Sequence, residues 1–178
     1  MVDDPWRKRD IVLDAAPLIY LAKLEALDVL ATAADAAYVP AVVVDETTRP
    51  ALALRHPDAI AIERAIHQGL LTVLDPTGPE QAAAAEIGDR VTGLHGGECQ
   101  VLAIALHRGI AAVIFERRAQ RVARSMGAEL VDIVELLVAG TPEPDLLEAR
   151  IRGFGRLVEL RLAALEALIE RVRERNRR

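Results

Sequence analysis

"DIVLDAAPLIYLAKL", residues 10–24, changes its periodicity halfway along. The first half is a short apolar run that ends on a carboxylate, Asp14. After Pro17 the apolar residues return at helical spacing, with Leu18, Leu21, Leu24 and Leu27 on one face. A buried strand followed by a helix accounts for both halves, and a proline suits a helix's first turn. The helix is read as running on to Ala31. The acid stands at the join, and in sheets built from such units ligands sit beyond the carboxyl ends of the strands.

The alternation recurs along the chain. "AAYVP" (36–40) is a strand, and Pro40 opens a helix through "AVVVDETTR" (41–49) that Pro50 ends. A helix over 58–68, capped by Asp58, precedes the strand "LLTVL" (70–74) and the helix "EQAAAAEIG" (80–88). After the loop "TGLHGG", Glu98 opens a long apolar helix that Gly109 closes. "AAVIF" (111–115) is a strand, "RRAQRVARSM" (117–126) a helix, "AELVD" (128–132) a short strand and "IVELLVAG" (133–140) a helix. Residues 146–175 read as one long amphipathic helix, weakened at Gly153 and Gly155. The pattern predicts an α/β fold of three layers, with a mainly parallel central sheet flanked by helices and a long C-terminal helix. Residues 1–140 form the predicted main domain and 141–178 a helical extension.

The chain has 178 residues, 52% hydrophobic but only 3% aromatic, so the core must be aliphatic. A net charge of −5 argues against coating nucleic acid through bulk charge, although arginines crowd into "ERRAQRVAR" and "RERNRR". The single Cys99 excludes an internal disulfide framework and fits a reducing cytosol. No apolar run reaches membrane-span length and no signal-peptide pattern is present, so a cytoplasmic, non-membrane protein is expected.

Asp14 closes the first strand and Glu116 lies just past the strand-like "AAVIF", while Glu46 and Glu98 sit on helices that flank the sheet. Burying several carboxylates together is costly unless a cation neutralises them, and Mg²⁺ or Mn²⁺ prefers oxygen ligands. Each acid also has an ordinary reading. Asp14 is placed to cap a helix, Glu46 to be solvated, Glu98 to meet a helix dipole and Glu116 to pair with a nearby arginine.

Four runs resemble the PIN domain, the nuclease fold of many prokaryotic VapC-type toxins. They are "DAAPLIYLAKLEALDVL", "VPAVVVDETTRP", "LHGGECQVLAIALHRGI" and "FERRAQRVARSMGAELV", in the family's order and at about its spacing. The resemblance implies a metal-dependent endoribonuclease using Mg²⁺ or Mn²⁺, acting on RNA and often held by a cognate antitoxin. Residue by residue it places metal ligands at Asp14, Glu46 (rather than Asp45) and Glu98, with Glu116 beside them as a fourth catalytic acid. The family's fourth-strand aspartate falls on Phe115, a small hydroxyl residue on Ala16 and a frequent second glutamate on Gln100. These departures leave open a second class, a PIN-fold binding module with an impaired site.

Arg117, Arg121 and Arg124 share a helical face that suits RNA phosphates, or simply solvent. His95 and Cys99, one turn apart, invite a Cys–His hydrolase reading that lacks an orienting third group. The apolar stripe of the C-terminal helix, including Leu157, Leu160, Leu165, Leu168 and Val172, needs a cover. That cover is the domain itself, an antitoxin or a second copy, and a homo-oligomer is expected.

Overall fold

The computed structural model describes residues 8–49 and 56–176. Four short strands, β1 (Ile11–Leu13), β2 (Ala37–Pro40), β3 (Thr72–Leu74) and β4 (Ala111–Val113), form one parallel sheet in the order β3-β2-β1-β4. β1 and β4 are wholly buried, which explains why both read as unbroken apolar runs rather than alternating ones. Every strand is joined to the next through helix, so all four carboxyl ends face one edge.

The helices flanking the sheet are α1 (Ala15–Lys23), α2 (Val29–Ala33), α3 (Ala41–Thr48), α4 (Pro57–His67), α5 (Gly78–Arg90), α6 (Gly96–Arg108), α7 (Arg117–Ser125) and α8 (Ile133–Gly140). Two more, α9 (Pro144–Leu157) and α10 (Leu162–Asn176), complete the described chain. α6 is the central one: it packs on β1, β2, β4 and α5, and Val101 through Ala105 are all buried. Gly109 closes it at φ 63, a left-handed cap that costs glycine nothing. α5 is fastened to α6 by Glu80, nearly fully buried, which accepts from Arg108 Nε at 2.6 Å and Nη2 at 3.0 Å and also caps its own helix through the Thr77 N–H. This pairing holds the Glu80 carboxyl well below the ordinary range, at about 2. No described helix is long and apolar enough to cross a membrane.

The structure departs from the sequence pattern in four places. The helix expected to run from Pro17 to Ala31 breaks over 24–28, where Glu25 takes φ 50 and the Ala26 N–H reaches back to the Leu21 carbonyl at 2.8 Å. The cause is distant: Arg150, 7% exposed, donates to the Glu25 carbonyl at 3.1 Å and to Asp28 at 2.7 Å, and also to Thr141 Oγ1 at 2.8 Å. The expected strand 128–132 shrinks to a single parallel bridge, Leu130 with Ala112. The cap of α4 is His56, with Asp58 inside the first turn. Pro50, the expected stop after α3, lies outside the described residues, as do Arg177 and Arg178 of the basic tail.

The last departure is at the C-terminus. A long helix is present as α10, but the stretch before it turns back as α9, with Glu159 at φ 53 in the turn. The two glycines expected to weaken a helix are contact points instead. A Cβ on Gly155 would lie 2.7 Å from Leu165, and one on Gly153 would lie 2.7 Å from Leu24. Leu165, Ile169 and Val172 are buried, and Glu148 ties the pair together by accepting from Arg152 at 3.0 Å and Arg173 at 2.5 Å. Part of the stripe is therefore covered within the chain. Arg150→Leu should lower unfolding free energy by about 2–3 kcal/mol, because Thr141 and the Glu25 carbonyl lose a charged donor. Urea titration of both proteins measures it.

Candidate functional site

A cleft at the carboxyl edge of the sheet is lined by Asp14, Ala15, Ala16, Glu46, His95, Glu98 and Glu116. All four acids singled out in the sequence thus meet one opening, each carried by a different element. Asp14 follows β1 directly and begins α1. Its side chain does not cap that helix in the usual way, and it is only 6% exposed. Glu98 sits in the first turn of α6, 5% exposed, with Oε2 accepting the His95 N–H at 2.8 Å. This hydrogen bond fixes the carboxylate at the start of the helix.

Glu46 reaches the cleft from α3, while its neighbour Asp45 does not. The contact that lets it in is Gly97: a Cβ there would lie 3.1 Å from Glu46 Oε2 and 3.3 Å from Val43. The last glycine of "GLHGG" is therefore the gap through which α3 presents its carboxylate. Glu116 both lines the cleft and caps α7, where Oε2 accepts the Ala119 N–H at 2.8 Å. The local arginine pairing weighed for Glu116 does not form with a described residue; the helix cap takes its place.

Burial pushes the Asp14 carboxyl up to about 6. The Ala15 N–H pulls it down, the charges of Glu98 and Glu46 push it up again, and His95 offsets them in part. Asp14 and its two acidic neighbours therefore feel one another electrically. Every donor in the set is a carboxylate oxygen apart from His95, which is the chemistry of a hard divalent cation. Among the described residues, however, no three Asp, Glu, His or Cys side chains stand close enough together to form a ready metal cage.

Phe115, in the place of the family's aspartate, is half-buried and packs edge-on against Tyr20 of α1, with centroids 4.9 Å apart, and Phe154 of α9, at 6.0 Å. Three of the chain's few aromatic residues meet here, and the ring anchors the C-terminal hairpin rather than leaving a hole. Beyond it a groove of about 1200 Å³ opens between α7, α8, α9 and α10. Arg117 and Arg124 line it with Gln120 between them, while Arg121, expected on the same face, does not. Arg118 turns the other way, its guanidinium lying over Gly93, which holds φ 86 in the loop before α6.

His95 was set aside in the sequence together with Cys99, and the structure separates them. His95 lines the acidic cleft, whereas Cys99 is buried with its sulfur 3.7 Å from where a Gly88 Cβ would sit. Burial raises the thiol's pKa, the reverse of what a nucleophile needs. Asp132 is a residue that sequence reasoning passed over: it follows the Leu130 bridge at the same sheet edge and lines the groove. The signal was available, since "AELVD" ends on an acid as "IVLD" does.

Two outcomes follow from this geometry. Because the folded Asp14 keeps a proton that the unfolded chain sheds near 3.8, its stabilising share is full below that pH and is lost as pH rises through about 6. Asp14→Asn should therefore be more stable than wild type at pH 7.5, by about 3 kcal/mol, and nearly equal at pH 4. Urea titrations at the two pH values test the sign. Gly97→Val should displace Glu46 from the cleft and so lower the pH at which Asp14 loses its proton, while leaving the fold intact, as read by NMR titration of the Asp14 carboxyl and circular dichroism.

A family model described as a PIN domain matches residues 10–150. No curated protein is similar enough to the chain to match it. The matched span holds the whole sheet and all four cleft acids, and PIN domains are in general nucleases that use divalent metal ions. The chain belongs to the PIN-domain family.

Proposed function

We propose that the protein is a metal-dependent endoribonuclease of the VapC toxin type, with Mg²⁺ or Mn²⁺ held by Asp14, Glu46 and Glu98. The observation that carries this reading is the buried Asp14 carboxyl, pushed up to about 6 among other acids in an open cleft. A fold does not keep a carboxylate in that position for stability, since ionising it there works against folding. A bound divalent ion would neutralise the cleft, acidify a water and stabilise charge developing on a phosphate. Asp14 would be drawn to its ionised form as the ion displaces its proton. Glu98 is already fixed by the His95 N–H, and Glu46 is steered by Gly97. Glu116, anchored by one oxygen on α7, would use the other to orient water at the cleft mouth. Arg117 and Arg124 would meet the phosphates of the strand, with Arg121 in a supporting place outside the groove.

In this reading residues 1–140 carry the chemistry and 141–178 brace it. A cognate antitoxin and a homo-oligomer belong to the same proposal, supported by apolar side chains left exposed on the hairpin: Leu146 at 44%, Leu157 and Leu160 at 37% each, and Leu162 at 72%.

A second reading, a PIN-fold binding module without catalysis, is favoured by Phe115. An oxygen ligand is missing where the family has one, and the ring is built into a packed cluster. Cleavage of single-stranded RNA with Mn²⁺ discriminates the two. Wild type should cleave, Asp14→Asn should fall at least a hundredfold, and metal binding should weaken below about pH 6 as protons compete for Asp14. Equal residual cleavage by both proteins, with no Mn²⁺ uptake, would leave only the binding module. Phe115→Asp should raise activity if the absent oxygen limits it, while lowering stability through loss of the aromatic contacts.

A further inference from the structure

The groove beyond Phe115 is not a separate depression. Ala16 and Glu116 line both it and the acidic cleft, so the two form one continuous surface. Its walls carry three acids and three arginines, but the acids are committed. Glu116 caps α7, Asp132 Oδ1 accepts the Val134 N–H at 2.7 Å, and Glu135 Oε2 accepts the Asp132 N–H at 2.9 Å. Arg117, Arg124 and Arg171 form no ion pair with a described residue, although Arg124 lies within electrical reach of Asp132. The groove's acids, although exposed, are thus each engaged by a backbone N–H at a helix start, while Arg117 and Arg171 have no such engagement among the described residues. Between arginines and acidic cleft lies the half-buried ring of Phe115, held edge-on by Tyr20 at 79° and by Phe154 at 85°.

We propose that this groove is a nucleotide subsite, in which the Phe115 ring takes the base of the nucleotide next to the scissile phosphate and Arg117 and Arg171 take the flanking phosphates of a single RNA strand. The inference rests on the nuclease reading for its choice of strand, and it turns the family's missing carboxylate into a contact of another kind. A ring clamped on two sides loses little freedom when a base settles on it, and stacking accepts any base because each has a π face. An extended apolar floor flanked by uncommitted arginines suits a flexible strand better than a rigid duplex.

The test needs no catalysis. A five-nucleotide single-stranded RNA carrying one 2-aminopurine is titrated with wild-type protein in EDTA, with the reporter moved through each position. Quenching should appear strongly at one position, and an abasic replacement there should weaken binding about tenfold. Phe115→Tyr should keep both effects and Phe115→Leu should lose them. Arg117→Gln and Arg171→Gln should weaken the intact and abasic strands alike. Equal affinity of wild type for the intact and abasic strands would overturn the subsite without use of any variant, and so would the absence of binding. Dimerisation of the chain that excludes the RNA would overturn it in favour of a self-contact. If the base effect is present but Mn²⁺ produces no cleavage, the nuclease reading fails and the subsite stands. Cleavage without base dependence gives the reverse.

Discussion

A carboxylate held almost out of water within electrical reach of other acids is the constraint around which this protein is arranged. Asp14 can be nearly buried beside Glu98 and Glu46 only because it keeps its proton up to about pH 6, and because helix ends and a histidine offset part of the repulsion. The rest of the fold pays attention to this edge: β1 delivers Asp14, the start of α6 fixes Glu98, and a glycine clears the way for Glu46. Elsewhere a buried carboxylate is treated differently. Glu80 is neutralised outright by a two-pronged arginine, and its acidity moves the opposite way, down to about 2. The same chemical group is fastened in one place and left wanting a partner in the other, and that contrast separates framework from site.

The aromatic cluster links the site to the C-terminal hairpin. Phe115 stands one residue before Glu116, and its neighbours come from α1 and α9. Whatever settles the hairpin on the domain thus also settles the hinge between β4 and α7. Gly140 has a similar place between α8 and α2, where a Cβ would collide with Val29. Close approach at this point brings α8, and with it the wall of the groove, against the domain.

Much of the fold was legible because it depends on local pattern. Strands buried on both faces read as continuous apolar runs, and Pro40 and Gly109 punctuate the helices where the structure does. What was not legible depends on partners far away in the chain. The break at Glu25 answers to Arg150, and the hairpin after Leu157 answers to the packing of Leu165 on Gly155. Neither contact has a periodicity. The acids of the cleft were found through strand ends and family spacing. Arg121 was misplaced relative to the groove because helical spacing alone cannot say which of two adjacent faces looks inward. His95 was weighed with Cys99 rather than with the acids, because only the fold places it beside Asp14 and ties its backbone to Glu98.

The latch made by Arg150 has a consequence for the order of events during synthesis. Its partner carbonyl on Glu25 lies 125 residues earlier in the chain. At roughly 5–20 residues per second, a ribosome needs on the order of ten seconds to cover that interval. Throughout that time the first strand and helix are made but their connecting bend has no guanidinium to hold it. The newly made bend therefore waits, with its left-handed glutamate unsecured, for α9 to emerge and lock it.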